Sequence, residues 1–227
     1  MQYPVSLALE DYLTVIFSAI GMILLTKMVL QLDRRLGQMA LIGTTLTVVG
    51  GLMKATAKLI MSMGGPEIPL LVYGLFPLIA PGFTLLGWSL FQVRHMFQNK
   101  PVSKNPWLVP SILIGVFAVG SIALAAVGGP WRVPLILLSS LANISLLIML
   151  SLASWGRGLR VASVLFIVTL IVVLVMSQLA GKPITDLRVV WFEQLSQSLA
   201  QALFAVGAWQ YGEAILATYR RPALQMA

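Results

Sequence analysis

The chain alternates long apolar runs with short polar or Gly/Pro-rich connections. Each run is about 20 residues long, the length that an α-helix rising 1.5 Å per residue needs to cross a hydrocarbon core of about 30 Å. The pattern predicts an all-α, polytopic membrane protein, a bundle of seven transmembrane helices. These spans 1 to 7 are placed at Tyr12–Leu32, Met39–Ser62, Pro69–Val93, Leu108–Gly128, Val133–Trp155, Leu159–Leu179 and Val189–Leu216.

The connections between the spans are too short to hold a folded extramembrane domain. We therefore expect a single transmembrane domain over residues 1–227. Glu10 and Asp11 precede span 1, which lacks both a basic leading segment and a small-residue cleavage site. Span 1 is therefore predicted to be a retained helix and not a signal peptide.

Basic residues in the short loops predict the orientation of the spans. One side receives nine arginines and lysines, and the other receives only Arg132, Lys182 and Arg188. Lys and Arg concentrate in cytoplasmic loops, so the first side is assigned to the cytoplasm. The amino terminus is then outside, the carboxyl terminus is cytoplasmic, and the expected location is the inner or plasma membrane.

Composition agrees with this class and excludes others. Hydrophobic residues make up 59% of the chain and charged residues 10%, with a mean hydropathy of +0.93, whereas a soluble domain carries about a quarter charged residues. The net charge of +8 is scattered over the ends of apolar runs, so it forms no continuous patch for nucleic acid. Cysteine is absent, which excludes disulfides and thiolate chemistry. His95 is the single histidine and makes neither a metal site nor a catalytic triad alone. We expect no enzyme activity, no metal and no cofactor.

The two halves of the chain show a faint internal similarity. Residues 9–97 and 133–219 each place a basic turn before their second helix, Arg34-Arg35-Leu36 and Arg157-Gly158-Leu159, and a Gly/Pro turn after it. Both halves have the same orientation, so a duplication would be a parallel 3+1+3 repeat with 108–129 as the linker helix. The alternative is that any two short-looped helix pairs share basic inner turns and Gly/Pro outer turns.

Seven spans with the amino terminus outside resemble, in topology, the microbial opsins and the small 3+1+3 sugar transporters. An opsin carries retinal on a lysine in the middle of its last helix, and span 7 has no lysine after Arg188. Span 3 has no acidic counter-ion, and the Pro-Gln pair of the sugar transporters is missing from both halves. The resemblance therefore assigns no family.

Span 2 carries Lys54 and Lys58 on a stripe shared with Thr44, Thr47 and Gly51, at steps of three and four. A lysine inside the bilayer costs about 2.5–3.5 kcal/mol on insertion scales, so it tends to find a partner or a water-filled cavity. The alternative is snorkelling, in which the aliphatic part of the lysine side chain stays in the membrane and the ammonium reaches the interface.

Span 7 carries Glu193, Gln197 and Gln201 at i, i+4 and i+8. Lys58 lies four residues before the end of span 2, and Glu193 lies four residues after the start of span 7. Both are thus about 6 Å below the outer boundary, and an ion pair between Glu193 and Lys58, or Lys54, is geometrically feasible.

Two interpretations of these polar residues stay open. The first is a ligand-binding polar cavity in the outer half of the bundle, and the second is an interhelical network that only fixes packing. Pro77 and Pro81 in span 3 can kink or open that helix and favour the cavity. The candidate site residues are Lys54, Lys58, Tyr73, Asn143, Gln178, Glu193, Gln197 and Gln201.

Three function classes fit the pattern. A transporter or channel for a small polar or anionic solute would use the polar residues directly, and a parallel duplication would support it. A sensor would need output through short loops and the tail 219–227, and a structural subunit would use its helices as docking faces. The expected partners are the lipid bilayer, a small polar solute, and either a second copy of the chain or a larger membrane complex. A closed, dry ion pair would favour the structural subunit.

Overall fold

In a computed structural model, the described residues are 4–179 and 187–225, without the side chains of 177–179 and 220–225. These residues contain helices and no strands, which confirms the all-α prediction. Within this described part of the chain, five segments are long and apolar enough to cross a membrane: Val5–Leu32, Arg34–Ser62, Pro69–Phe97, Leu108–Ala126 and Arg132–Trp155. The helices are α1 Val5–Leu32, α2 Arg34–Ser62, α3 Pro69–Tyr73, α4 Leu75–Phe97, α5 Leu108–Ala126, α6 Arg132–Trp155, α7 Arg160–Leu179 and α8 Leu187–Gln225.

Span 3 is divided into α3 and α4 at Gly74. A proline ring clashes with the carbonyl four residues before it, and for Pro77 that carbonyl belongs to Tyr73, where α3 ends. Pro77 itself lies in the first turn of α4, where its missing N–H is not needed. Pro81 is accommodated inside α4. The expected proline effect is therefore a break one turn before Pro77.

Six of the helices pack in a closed ring. The ring order is α1, α2, α4, α6, α7 and α8, and α8 returns to α1. Helix α5 lies outside this ring against α4 and α6, and its buried residues are Pro110 and Ser121. We call the end where α1 and α8 begin and α2 ends the proximal end, and the opposite end the distal end.

The hydrophobic core fills the distal half of the ring. Its fully buried members come from all six ring helices and include Leu25 of α1, Leu86 of α4, Leu150 of α6, Phe166 of α7 and Ile215 of α8. Phe166 packs edge-on against Phe204 of α8, with ring centroids 6.0 Å apart. The centre of the bundle is therefore closed by apolar side chains on the distal side.

Helices α2 and α4 approach each other most closely at Gly43 and Gly82. A Cβ atom on Gly43 would lie 2.6 Å from the carbonyl oxygen of Gly82 and 2.8 Å from the backbone nitrogen of Leu86. Small residues at such crossings let two backbones pack directly. This contact fixes the position of α2 and, with it, the lysines near its proximal end.

We expect Gly43→Ala to lower the free energy of unfolding by about 1 kcal/mol, because the new methyl group must push two backbones apart. Gly115→Ala in α5 is the matched control, since a Cβ atom there meets nothing within 4 Å. Thermal unfolding in detergent would measure both variants. Equal midpoints for the two would contradict the assigned α2–α4 contact.

Candidate functional site

Charged side chains of α1 and α2 meet near the proximal end. The ammonium nitrogen of Lys58 lies 2.5 Å from a carboxylate oxygen of Asp11, and the two side chains are 21% and 11% exposed. On the same two helices, one residue from Asp11 and two residues from Lys58, Tyr12 and Thr56 share a hydroxyl hydrogen bond of 2.9 Å. The ion pair is therefore held by a second polar contact between the same helices.

Helix α8 completes this cluster from the other side of α1. The Ser198 hydroxyl donates to the buried carboxylate of Glu10 and lies 2.6 Å from the hydroxyl of Thr14. With its amide nitrogen turned towards the acids, Gln194 donates to Asp11 at 2.7 Å and to Glu10 at 3.2 Å, while its oxygen accepts from Lys58 at 3.0 Å. That orientation is assigned from the hydrogen-bond network. We call Glu10, Asp11, Lys58, Gln194 and Ser198 the seam cluster.

Of the two pairings of Glu193 that depth allowed, the one with Lys58 is not formed, because the partner of Lys58 is Asp11. The start predicted for span 1, at Tyr12, was also wrong. Helix α1 begins at Val5, so Glu10 and Asp11 are inside the helix and buried, not in a preceding segment. The sequence contains a signal for this longer helix, because apolar residues precede Glu10 and Asp11 as well as follow them. An apolar run that two charges interrupt can be one helix with a polar face.

The inner face of α8 is apolar in the distal half and polar towards the proximal end. In the distal half Phe204, Ala208 and Ile215 on this face are buried in the central core. Continuing towards the proximal end by steps of three and four, the same face presents Gln201 and Gln197 and then Glu193, all half-buried. Neither glutamine hydrogen-bonds to another described residue. The two amides therefore face the ring interior, half-buried and without a hydrogen-bond partner among the described residues.

Lys54 faces the same part of the ring interior. Gly51 and Lys58 of α2 contact α1, and Gly50 of α2 contacts α4. Lys54 lies three and four residues from these positions, on the arc between the two neighbours, which is the inner arc of a closed ring. Its side chain is nevertheless exposed, and its ammonium interacts electrostatically with Lys58, Asp11 and Glu193.

Asn143 adds an amide from α6. It lies three, four and seven residues before Leu146, Leu147 and Leu150, which are core residues, and is therefore on the inner face of α6. Its side chain is half-buried. We call the space edged by Lys54, Asn143, Glu193, Gln197 and Gln201 the proximal vestibule.

Tyr73, another predicted site residue, lies outside the vestibule. Tyr73 is exposed, donates a hydrogen bond to Glu67 at 3.2 Å and is stacked by the guanidinium of Arg132 at 4.1 Å from its ring centroid. It marks the proximal rim between α3 and α6. The side chain of Gln178 lies outside the described residues.

The described residues contain no group of three His, Asp or Glu side chains that could hold a metal ion. The vestibule therefore offers ammonium, carboxylate and amide groups to a ligand. Comparisons with protein-family models, curated proteins and solved structures gave no match. The function must accordingly be inferred from the arrangement of the chain's own residues.

Proposed function

We propose that this chain is a seven-helix membrane protein that moves a small polar or anionic solute through the proximal vestibule. The proximal end is the outer end, the distal end is cytoplasmic, and the membrane is the inner or plasma membrane. The observation that carries the proposal is the inner arc of α2 and α8, where an exposed Lys54 and two unbonded glutamines lie above a closed apolar core.

Charge and amide groups in the ring interior are costly unless water or a solute reaches them. Intramembrane ionisable residues mark solute or ion pathways for this reason. Amides together with a lysine select small polar and anionic solutes, because they offer several donors and one positive charge. The packed distal half would then be the closed inner side of an outward-facing state.

The ring order supports the 3+1+3 repeat as part of this proposal. Helices α1, α2 and α4 pack in sequence, as do α6, α7 and α8, and the two groups meet at α1–α8 and at α4–α6. A two-fold axis along the membrane normal exchanges these two contacts, as a parallel repeat requires. The seam cluster joins α1 and α2 of the first group to α8 of the second. An outer gate between two moving halves would open at this contact between α1 and α8.

Flux into proteoliposomes tests the transport proposal. The probes are glycerol, glucose, glycine, sodium lactate and potassium phosphate, each followed by osmotic swelling. We expect faster entry than in protein-free liposomes for at least one solute, and loss of most of that excess in Lys54→Met. Lys27→Met is the control, since Lys27 is an exposed lysine on α1. No excess for any of the five solutes would reject the proposal for this solute class.

The orientation has a separate test in this cysteine-free chain. Ser103 and Glu67 are exposed residues in connections at opposite ends of the bundle. A cysteine at position 103 should be labelled only in permeabilised cells, and one at position 67 should be labelled in intact cells, because the basic loops are cytoplasmic. The reversed pattern would invert the assignment of the two ends.

A structural subunit of a membrane complex is the second candidate. It is favoured by the closed state of the seam cluster, in which Lys58 has both a carboxylate and an amide partner. Such a protein would keep these contacts permanently, and its vestibule would bind no solute. Swelling that matches protein-free liposomes, together with a vestibule inaccessible to water, would favour this candidate.

A further inference from the structure

Helix α5 is separated from α4 and α6 by a cleft in the distal half of the bundle. The cleft has a volume of about 530 Å³ and is lined mainly by apolar and aromatic side chains, among them Phe83 and Trp88 of α4 and Phe117 of α5. A second cavity of about 270 Å³ continues it towards the proximal end, and Leu138 of α6 borders both. Together the two cavities offer a continuous series of apolar residues along α4, α5 and α6, as an acyl chain requires.

Basic residues lie at the distal end of this cleft. Arg94 lines it directly, and Lys100 and Lys104 are exposed in the α4–α5 connection at the same end of the bundle. The connection is tied to α4 by a hydrogen bond from the backbone of Ser103 to the Gln92 side chain, 3.2 Å. None of these three cations forms a salt bridge within the described part of the chain, and the sequence contains no acidic residue between Glu67 and Asp186.

A hydrogen-bond donor without an acceptor lies deeper in the cleft wall. The indole nitrogen of Trp88 is buried and has no partner among the described residues. Trp88 precedes Arg94 by six residues, or about 9 Å along the helix axis. A buried indole N–H normally finds an acceptor. Because this nitrogen is inaccessible to solvent, it does not face the open cleft, and the order from the mouth inwards is a cation and then apolar and aromatic surface.

We propose that this cleft binds one anionic glycerophospholipid of the cytoplasmic leaflet. Its phosphate lies against Arg94, with Lys100 and Lys104 at the same end of the bundle, and an acyl chain fills the apolar space between α4, α5 and α6. The charge complementarity selects an anionic over a zwitterionic headgroup, since each nearby basic residue attracts anionic lipid. This site is separate from the proximal vestibule and does not depend on transport.

Native mass spectrometry of the full chain tests the site. The protein is equilibrated in detergent micelles with equal amounts of dioleoylphosphatidylglycerol and dioleoylphosphatidylcholine, and retained lipids are counted. We expect one retained phosphatidylglycerol per chain, with about a fivefold preference over phosphatidylcholine. The preference should disappear in Arg94→Gln. Arg34→Gln, which removes an exposed arginine at the same end of the bundle, should keep it.

Filling the cleft separates binding in the cleft from binding elsewhere. A Cβ atom on Gly87 would be 3.9 Å from the nearest atom of α6, so Gly87→Phe projects a ring into the cleft and should abolish retention of both lipids. Ser145→Phe, at an exposed position in the cleft wall, should weaken retention if the first variant does not fold. Unchanged retention in a folded cleft-filling variant, an unchanged preference in Arg94→Gln, or equal protection from thermal unfolding by inorganic phosphate alone would each overturn the proposal.

Discussion

Asp11→Asn is expected to lower the free energy of unfolding by about 3 kcal/mol, because it leaves the ammonium of Lys58 without its carboxylate in a poorly hydrated site. The substitution preserves the shape of the side chain, so the loss is one of charge and not of packing. Thermal or denaturant unfolding in detergent would measure it. Adding Lys58→Met should recover part of the loss, with a coupling on the order of 1 kcal/mol or more.

Glu193→Gln is the matched control for this cycle. Glu193 is half-buried on the inner face of α8 and is not the partner of Lys58. Glu193 interacts electrostatically with Lys54 but forms no salt bridge with a described residue, so its neutralisation should change stability by only about 0.5 kcal/mol. Coupling between Lys58 and Glu193 as large as that between Lys58 and Asp11 would mean that the ion pair is wrongly assigned.

Cysteines at Gln197 and Gln201 are expected to react with a membrane-impermeant methanethiosulfonate on the order of 100-fold faster than a cysteine at Leu199. The reagent attacks the thiolate, which forms in water and not in a hydrocarbon environment. Leu199 is 61% exposed on the bare protein surface, more than either glutamine, so surface exposure alone predicts the opposite order. The rate in intact cells or sealed proteoliposomes would decide between a vestibule and packed amides.

Phe204→Cys extends this comparison to the floor of the vestibule. Phe204 is buried in the core one turn beyond Gln201 on the same face, so its cysteine should be protected in the outward-facing state. Protection at all three inner positions would mean that the ring interior is closed throughout. That outcome would remove the support for transport and leave the seam cluster as a packing device.

Five of the predicted spans correspond to described segments that are long and apolar enough to cross a membrane. They were predictable because each such helix must present about 20 apolar residues, and this length is a property of the local sequence. The end of α3 at Tyr73 follows from Pro77 by the same local reasoning. The partner of Lys58 did not follow, because the position of Asp11 depends on which helices become neighbours. Equal depth is necessary for an ion pair, and both acids satisfied it. Only the packing of α1 between α2 and α8 selects Asp11.

The inner arc of α8 was partly predictable. The spacing of Glu193, Gln197 and Gln201 shows that they share a face, but not whether this face meets lipid, a neighbouring helix or an unfilled interior. Tyr73 has the depth expected of a site residue, but its ring is stacked by the guanidinium of Arg132 at the rim. Depth and periodicity therefore give the level and the face of a residue, and the ring order gives its neighbours.

The contact between α1 and α8 makes the order of synthesis matter for assembly. Helix α1 leaves the ribosome before α8 and can contact this ring neighbour only after α8 has been made. Before α8 is made, Asp11 can pair with Lys58 of α2, whereas Glu10 lacks its hydrogen-bond donor, Ser198. A chain that stops before α8 therefore exposes a buried carboxylate to lipid, and we expect such a fragment to be retained and degraded by membrane quality control.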